Sequence, residues 1–545
     1  MRRLCLGCAA ALPLAAGCLV AQTQAALFRL GSPDDQRDRR LSVLRDSVAP
    51  ARRLMQSMSS RTTLTPDSGG RLRMFTFVPD IQLTYNSTFP WSLNDGAMWA
   101  GRGVTTQMSA GVGLAWKRLR VVLAPTFWRA ANDAYDLPTD PEIVPPIPTP
   151  RNRYGSPYHW FSRSMDLPRR FGPSTFVATD LGTSAAWLTW HYVEAGLANE
   201  QEWWGPGLQN ALLLSNNAAG FGHAFVRTPH PLQTPLGAVD ARYLVGTLTT
   251  SRFFEDGTPT SPARSIASAI VTIMPRRATG LTVGVARMVI GTMGERPDIL
   301  GRPLDVFRNV ARPNAHPASD PTQIPGRDQL FELFGHYAPP GAGIELWYEW
   351  GRSEQPRSVS DLLADPGHTQ AFTAGIQALR RLNAAWMLGV QLEHTQTEQS
   401  SSYRERPTGS WYTSRSVIQG FTQRGQVLGA AVGPGANSQF LAVDGYASRL
   451  SIGAFIGRTR WDDDAFYTIP KPNGNGLCKH DVSLYGGVRS TLRTRSLVMA
   501  SAISTQQRLN AFWGSTGLCF IDEQRADKHN LTIQFSVTPR LAAQP

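Results

Sequence analysis

The sequence predicts an all-β fold, an outer-membrane antiparallel β-barrel. Three features predict it: an export leader with no apolar helix after it, residue alternation of period two over roughly 400 residues, and connections alternating between short turns and long polar loops. A soluble sandwich also alternates, but does not need strands this long for so much chain. In lipid every backbone group must be paired, so the sheet closes and lipid-facing residues alternate with lumen-facing ones.

The leader comes first. Met1-Arg2-Arg3 precedes an apolar run from Leu4 to Ala21 and a small-residue site ending at Ala25, the pattern of a bacterial secretory signal spanning 1–25. A membrane anchor is the rival, but the run is rich in Ala, Gly and Cys and barely long enough to span. Leu14-Ala15-Ala16-Gly17-Cys18 is lipoprotein-like only with its leucine displaced by one. Cys5, Cys8 and Cys18 leave with the signal, and an exported chain is then expected to pair Cys478 with Cys519. Lysine occurs only at 117, 471, 479 and 528, so 50 of the 54 basic residues are arginine, and the formal charge is +13. An exported cationic chain meets acidic polysaccharide or lipid phosphate rather than nucleic acid, and guanidinium groups grip both in bidentate fashion.

Residues 26–65 are expected to form an N-terminal helical segment, a candidate plug, and 66–545 the barrel. Leu41, Leu44, Val48, Met55 and Met58 recur at roughly helical spacing, interrupted by Pro50. The period then changes. Val104, Met108, Ala110, Val112, Leu114 and Trp116 share one strand face, and after Lys117-Arg118 the alternation resumes with Leu119, Val121, Leu123 and Phe127. Phe372 to Ala378 and Trp386 to Leu392 form a second hairpin about Arg380–Asn383. Further strands are expected at 72–85, 184–198, 241–254, 264–274, 281–290, 329–338, 343–353, 425–433, 440–458, 480–490, 496–508 and 530–541, with long loops at 132–155, 291–328, 397–412 and 459–478. The last strand turns Leu531, Ile533, Phe535 and Val537 to lipid.

Candidate chemistry concentrates in 199–221. Trp203-Trp204 meets the break Gly205-Pro206-Gly207, and an apolar triplet runs into Ser215-Asn216-Asn217. Flat indoles beside amides suit a sugar, whose ring faces stack while its hydroxyls pair; a packed turn is the plainer alternative. Glu200 and Glu202 invite a glycosidase reading, but nothing locates the required carboxyl spacing. Asp462-Asp463-Asp464 fits calcium or, more simply, a solvated loop. The chain has no Gly-x-Ser-x-Gly elbow, phosphate loop or zinc helix. A non-enzyme without cofactor or metal is therefore expected.

Several blocks carry a resemblance. Glu200, Trp203–Gly207, Asn210, Leu213–Ala218 and Gly220-Phe221 closely resemble the signature of the Wzi-type capsule-assembly family. So do Tyr85–Ser87, Asn94–Gly103, Leu281–Arg287, Tyr348–Trp350, Asp361–Leu363 with His368, and Gly420–Gly429. The resemblance implies a barrel of about eighteen strands, a helical plug near its periplasmic end, and a lectin-like role in holding capsular polysaccharide or exopolysaccharide on the cell surface. The expected partners are acidic polysaccharide and outer-membrane lipid, and the expected state is monomeric. Trp203 and Trp204 would stack on sugar, with Asn210, Asn216, Asn217 and Glu200 hydrogen bonding. Counting hairpins makes Gln209–Ser215 an inward strand and puts the tryptophans at the outer rim. A porin-like channel for sugars or anions is the alternative function, and an outer-membrane polysaccharide-modifying enzyme a more distant third.

Overall fold

The computed structural model describes residues 20–23, 54–135, 174–251, 263–293, 303–308, 326–468, 480–511 and 526–539, except 63, 67–68, 357, 407, 415–416 and 418. Eighteen antiparallel strands form a closed barrel, and β18 pairs back onto β1 through Ile533 and Tyr85. The first six are β1 (Arg73–Asn86), β2 (Gly103–Trp116), β3 (Leu119–Leu123 continued by Thr126–Ala130), β4 (Phe176–Asp180 continued by Ala185–Thr189), β5 (Glu194–Ala198) and β6 (His223–Arg227). The next six are β7 (Gly237–Thr249), β8 (Ala263–Pro275), β9 (Leu281–Thr292), β10 (Arg327–Tyr337), β11 (Ile344–Arg352) and β12 (Gln370–Arg381). The circuit ends with β13 (Met387–Gln396), β14 (Asn437–Tyr446), β15 (Leu450–Trp461), β16 (Asp481–Arg493), β17 (Leu497–Leu509) and β18 (Lys528–Pro539). A four-residue strand, Val20–Thr23, lies parallel to Arg73–Thr76, upstream of the expected cleavage site.

Short turns gather at one rim and long connections at the other, which makes the short-turn rim periplasmic. The period-two faces emerge as expected. Val104, Met108, Val112 and Trp116 are exposed to lipid, as are Leu531 and Phe535 of β18, while Thr105, Gln107, Asn530 and Thr532 are buried on the lumen side. This closed barrel places the protein in the outer membrane. β3 and β4 are both broken where Pro125 can donate no ladder bond and Gly182 faces Ala124. A side chain on Gly182 would lie 2.2 Å from the Ala124 carbonyl oxygen.

Five strand or helix expectations need correction. The 184–198 segment is two strands, because Trp190 turns back by donating to the Val193 carbonyl (2.8 Å). The 440–458 segment is likewise two, split by the 447–449 turn. The missing inward strand is His223–Arg227, not Gln209–Ser215, whose backbone is spent on loop contacts inside the barrel. Residues 425–433 are lumen loop with only the two-residue strand Gln426–Val427. The helical segment expected over 26–65 includes, in its described part, a strand at Met55–Ser57 paired with Glu202–Trp204, then a single helical turn at Met58–Arg61. Its earlier part lies outside the described residues, as do Cys478 and Cys519.

Candidate functional site

Four segments turn into the barrel and pack together: 54–61, 91–101, 199–222 and 411–436. Apolar side chains from three of them (Leu54, Trp204, Leu212, Leu213, Leu214, Tyr412 and Phe421 among them) join inward-facing Leu244, Ile266, Met288 and Leu330 of the wall in one core. The loops also hold one another by hydrogen bonds. Ser215 donates its N–H to the Leu428 carbonyl (2.8 Å) and its hydroxyl to that of Gly429 (2.6 Å). The Tyr412 hydroxyl donates to the Leu212 carbonyl (2.7 Å) and accepts from the Ala430 N–H (2.7 Å). Asn216 donates to the Asn94 carbonyl (2.8 Å), and Asn94 donates to that of Gln209 (2.7 Å). This is a plug built largely from the outer loops.

The wall grips the plug through carboxylates. Glu349 of β11 accepts N–H bonds from Gly207 (2.6 Å) and Leu212 (2.8 Å). Glu393 of β13 accepts three more, from Leu208 (2.6 Å), Gln209 (2.9 Å) and Asn210 (2.9 Å). Both acids are buried, so five backbone donors with no sheet partner find their acceptors there. Gly205 has φ +105°, and a side chain on it would collide with Glu349 and press on Glu332. The Gly205-Pro206-Gly207 break therefore lets the backbone lie against a wall of carboxylates.

A second cluster joins the 54–61 segment to the wall. Arg242 reaches both Glu200 (3.3 Å) and Glu202, while Arg227 pairs with Glu194 (2.7 Å) and donates to the Ser59 hydroxyl (2.8 Å). The Ser59 N–H donates to Glu200 (2.6 Å). Burial pushes the Glu200 carboxyl up, but Arg242, Arg227 and Ser59 outweigh it and hold the group below the ordinary carboxylate value. Glu200, Glu202 and His223 bring ligand atoms within 4.8 Å of one another. The Arg242 guanidinium already lies against both carboxylates, where a cation would have to stand, so the cluster is a poor cation site.

The expected sugar-contact set is therefore relocated. Trp203 and Trp204 are 1% and 0% exposed, and Glu200, Asn210, Asn216 and Asn217 are buried too. The rim placement of the tryptophans is overturned because the loop leaving β5 folds down into the lumen. The indole N–H of Trp203 goes to the Gly207 carbonyl (3.1 Å), that of Trp204 to Glu202 (3.1 Å), and Asn217 donates to the Val427 carbonyl (2.9 Å). Asp462, Asp463 and Asp464 are buried rather than solvated: Asp463 pairs with Arg460 (2.6 Å) and His480 (2.7 Å). Sequence reasoning gave no role to Glu349, met only inside the Tyr348–Trp350 block, or to Glu393, which looks like an ordinary lumen residue at an alternate strand position. It also missed Arg264, which donates to the Thr422 carbonyl (2.9 Å) and Gly420.

The opposite part of the lumen keeps a cavity of about 230 Å³ between β14–β18, β1 and the plug. Trp91, Phe440, Phe455 and Tyr485 line it with Gln82, Gln209 and several serines. Arg489 and Asp444 form a bidentate pair in its wall (2.8 and 2.7 Å), and Trp91 and Tyr485 lie 5.5 Å apart between centroids. Ser451 and Thr491, next to the short turns, carry the lining to the periplasmic end. Aromatic faces, hydroxyls and one ion pair make a surface for a small polar molecule with an apolar face.

No family model and no curated protein matches the chain. Among solved structures, it resembles Escherichia coli Wzi, described as an outer-membrane, carbohydrate-binding β-barrel involved in group 1 capsule assembly. The TM-score is 0.54 at 10% identity, covering 85% of each chain. The Pseudomonas aeruginosa outer-membrane proteins OpdK and OprD match at TM-scores of 0.37 and 0.35, with 10% and 9% identity over 85% and 84% of this chain and 98% and 92% of theirs. At such identity the likeness to Wzi is one of fold, that of an outer-membrane barrel.

Proposed function

We propose that this chain is a non-enzymatic, monomeric outer-membrane lectin of the Wzi type, which holds acidic capsular or exopolysaccharide at the cell surface. The observation that carries the reading is the plug. A lumen part-filled by the barrel's own outer loops, with five backbone donors fixed on two wall carboxylates, suits a scaffold better than a passage. The likeness to a carbohydrate-binding barrel supports it. On this reading Trp203, Trp204, Asn210, Asn216 and Asn217 act by position: they fix the floor from which the outer connections rise, and arginines in those connections draw uronate or phosphate groups by charge. Many weak contacts along a polymer give avid binding.

The test is retention of purified acidic exopolysaccharide by the detergent-solubilised chain, beside a neutral glucan. Binding of the acidic polymer alone, weakening steeply from 0.1 to 1 M salt as screening shortens from about 10 to about 3 Å, is expected. Equal retention of both polymers, or of neither, would overturn the reading.

One observation favours a second reading, a narrow path for small sugars or anions: the cavity beside β14–β18 is continuous along much of the wall. Liposome swelling with a monosaccharide separates the two, since a lectin with a sealed lumen gives no swelling above empty vesicles.

A further inference from the structure

The 294–326 connection leaves β9 at the outer rim, yet part of it lies outside the barrel. In β7, Arg242, Leu244 and Leu248 face the plug, so Tyr243 and Val245 between them face outward. The same alternation turns Ala267 and Ala269 of β8, Arg287 and Val289 of β9 and Gln329 of β10 outward. Val245, Ala267 and Val289 are nevertheless buried, and the 3₁₀ turn Pro303–Phe307 is what covers the first two, with Val306 packed upon them.

The segment is clamped there. Arg287 donates to the carbonyls of Val306 (2.8 Å) and Arg308 (2.8 Å), Asp305 pairs with Arg327 (2.6 Å), and the Tyr243 hydroxyl donates to Pro303. Phe307 stacks on Tyr243 at 6.1 Å. Two large apolar side chains are left facing away from the protein: Leu304 is 56% and Phe307 71% exposed. Arg308 beside them is 51% exposed at its side chain, and its guanidinium lies 3.6 Å from the Asp305 carboxylate that Arg327 also holds, so it keeps donors free for an outside anion. Immediately toward the periplasm on the same wall come the exposed apolar residues Val271, Val283, Val285 and Leu333, the lipid face. The segment thus sits where acyl chains end and headgroups begin, with apolar groups to meet the former and a guanidinium to meet the latter.

We propose that this external clip binds a phosphate-bearing glycolipid of the outer leaflet, with Leu304 and Phe307 against its acyl chains and Arg308 on its phosphate. A second copy of the chain would also cover apolar groups, but the exposed arginine at headgroup level matches an anion. The inference depends on the outer-membrane barrel and not on the polysaccharide reading.

The test is native mass spectrometry of the full chain in detergent, offered lipid A carrying both phosphates or the same glycolipid with its phosphates removed. Preferential retention of the phosphorylated form by the unaltered chain is expected. Arg308→Ala should weaken that retention about fivefold, the effect of one cation at an anionic membrane surface, and remove most of the preference. Leu304→Ser with Phe307→Ser should weaken both forms alike. Equal retention of the two glycolipids by the unaltered chain overturns the proposal without reference to any variant's folding. So does an unchanged preference in Arg308→Ala, or a dimer in the unaltered chain that the Leu304→Ser, Phe307→Ser variant abolishes.

Discussion

Glu393 shows how one side chain can hold a loop in place. Its buried carboxylate accepts three consecutive N–H groups inside the barrel. In Glu393→Ala these donors lose their acceptor, at roughly 1–3 kcal/mol each when buried, so the loop should loosen before the barrel does. The expected outcome is new protease cleavage within 205–214 while the barrel's heat-modifiable gel mobility is unchanged. Asp464 makes a pH-dependent contact outside the strands: it accepts from the Gln399 N–H (2.8 Å), and burial pushes it up to about 7. The folded value lies above the unfolded value of about 3.9. Its contribution is therefore full below about pH 4 and is lost as pH rises through about 7. Proteolysis of 397–412 should accelerate between pH 5 and 8 in the native chain, to an extent that Asp464→Asn reduces; an identical profile in the variant would refute the assignment.

Elements were legible where the environment imposes alternation. Val104–Trp116 and its partner read correctly because one face meets lipid and the other the lumen. Residues 184–198 misread as a single strand because the turn at their centre carries Trp190, Tyr192 and Val193, exposed at the periplasmic rim where aromatic residues suit the interface. The apolar run Ala211–Leu214 misled in the opposite sense, since a buried loop and a short strand share composition. Folding direction was invisible too: a loop leaving β5 at the outer rim can rise to meet polymer or descend into the lumen. The acceptors that draw it down stand at residues 349 and 393. Many of the blocks that look like family signature, Asn94–Gly103, Trp203–Ala218 and Gly420–Gly429, meet in the plug, so their likeness tracks packing as much as chemistry. Replacing Trp203 and Trp204 by alanine removes two fully buried side chains, at about 3–5 kcal/mol for an isolated case and not additively for neighbours. A lowered unfolding temperature together with reduced polymer retention is expected; retention at the native level would show that the plug does not support the binding surface. Gly457 tests the cavity separately. A Cβ there would lie 2.2 Å from the Tyr485 ring, so Gly457→Ala should displace that wall and lower the unfolding temperature while leaving 205–214 as protease-resistant as in the native chain.

At the scale of the whole molecule, the barrel divides its interior. One part is filled by an apolar core that the outer loops carry inward, and the other holds a cavity lined by aromatic rings, hydroxyls and the Asp444–Arg489 pair. On the proposed reading the plug seals the barrel and the long outer connections hold polymer outside it. The central claim is the closure itself, and single-channel current across a planar bilayer measures it most directly. The native chain is expected to give no steady conductance, and the Glu349→Ala, Glu393→Ala variant to give opening events as 205–214 releases from the wall. A steady, large conductance from the native chain, equal to that of the variant, would contradict it.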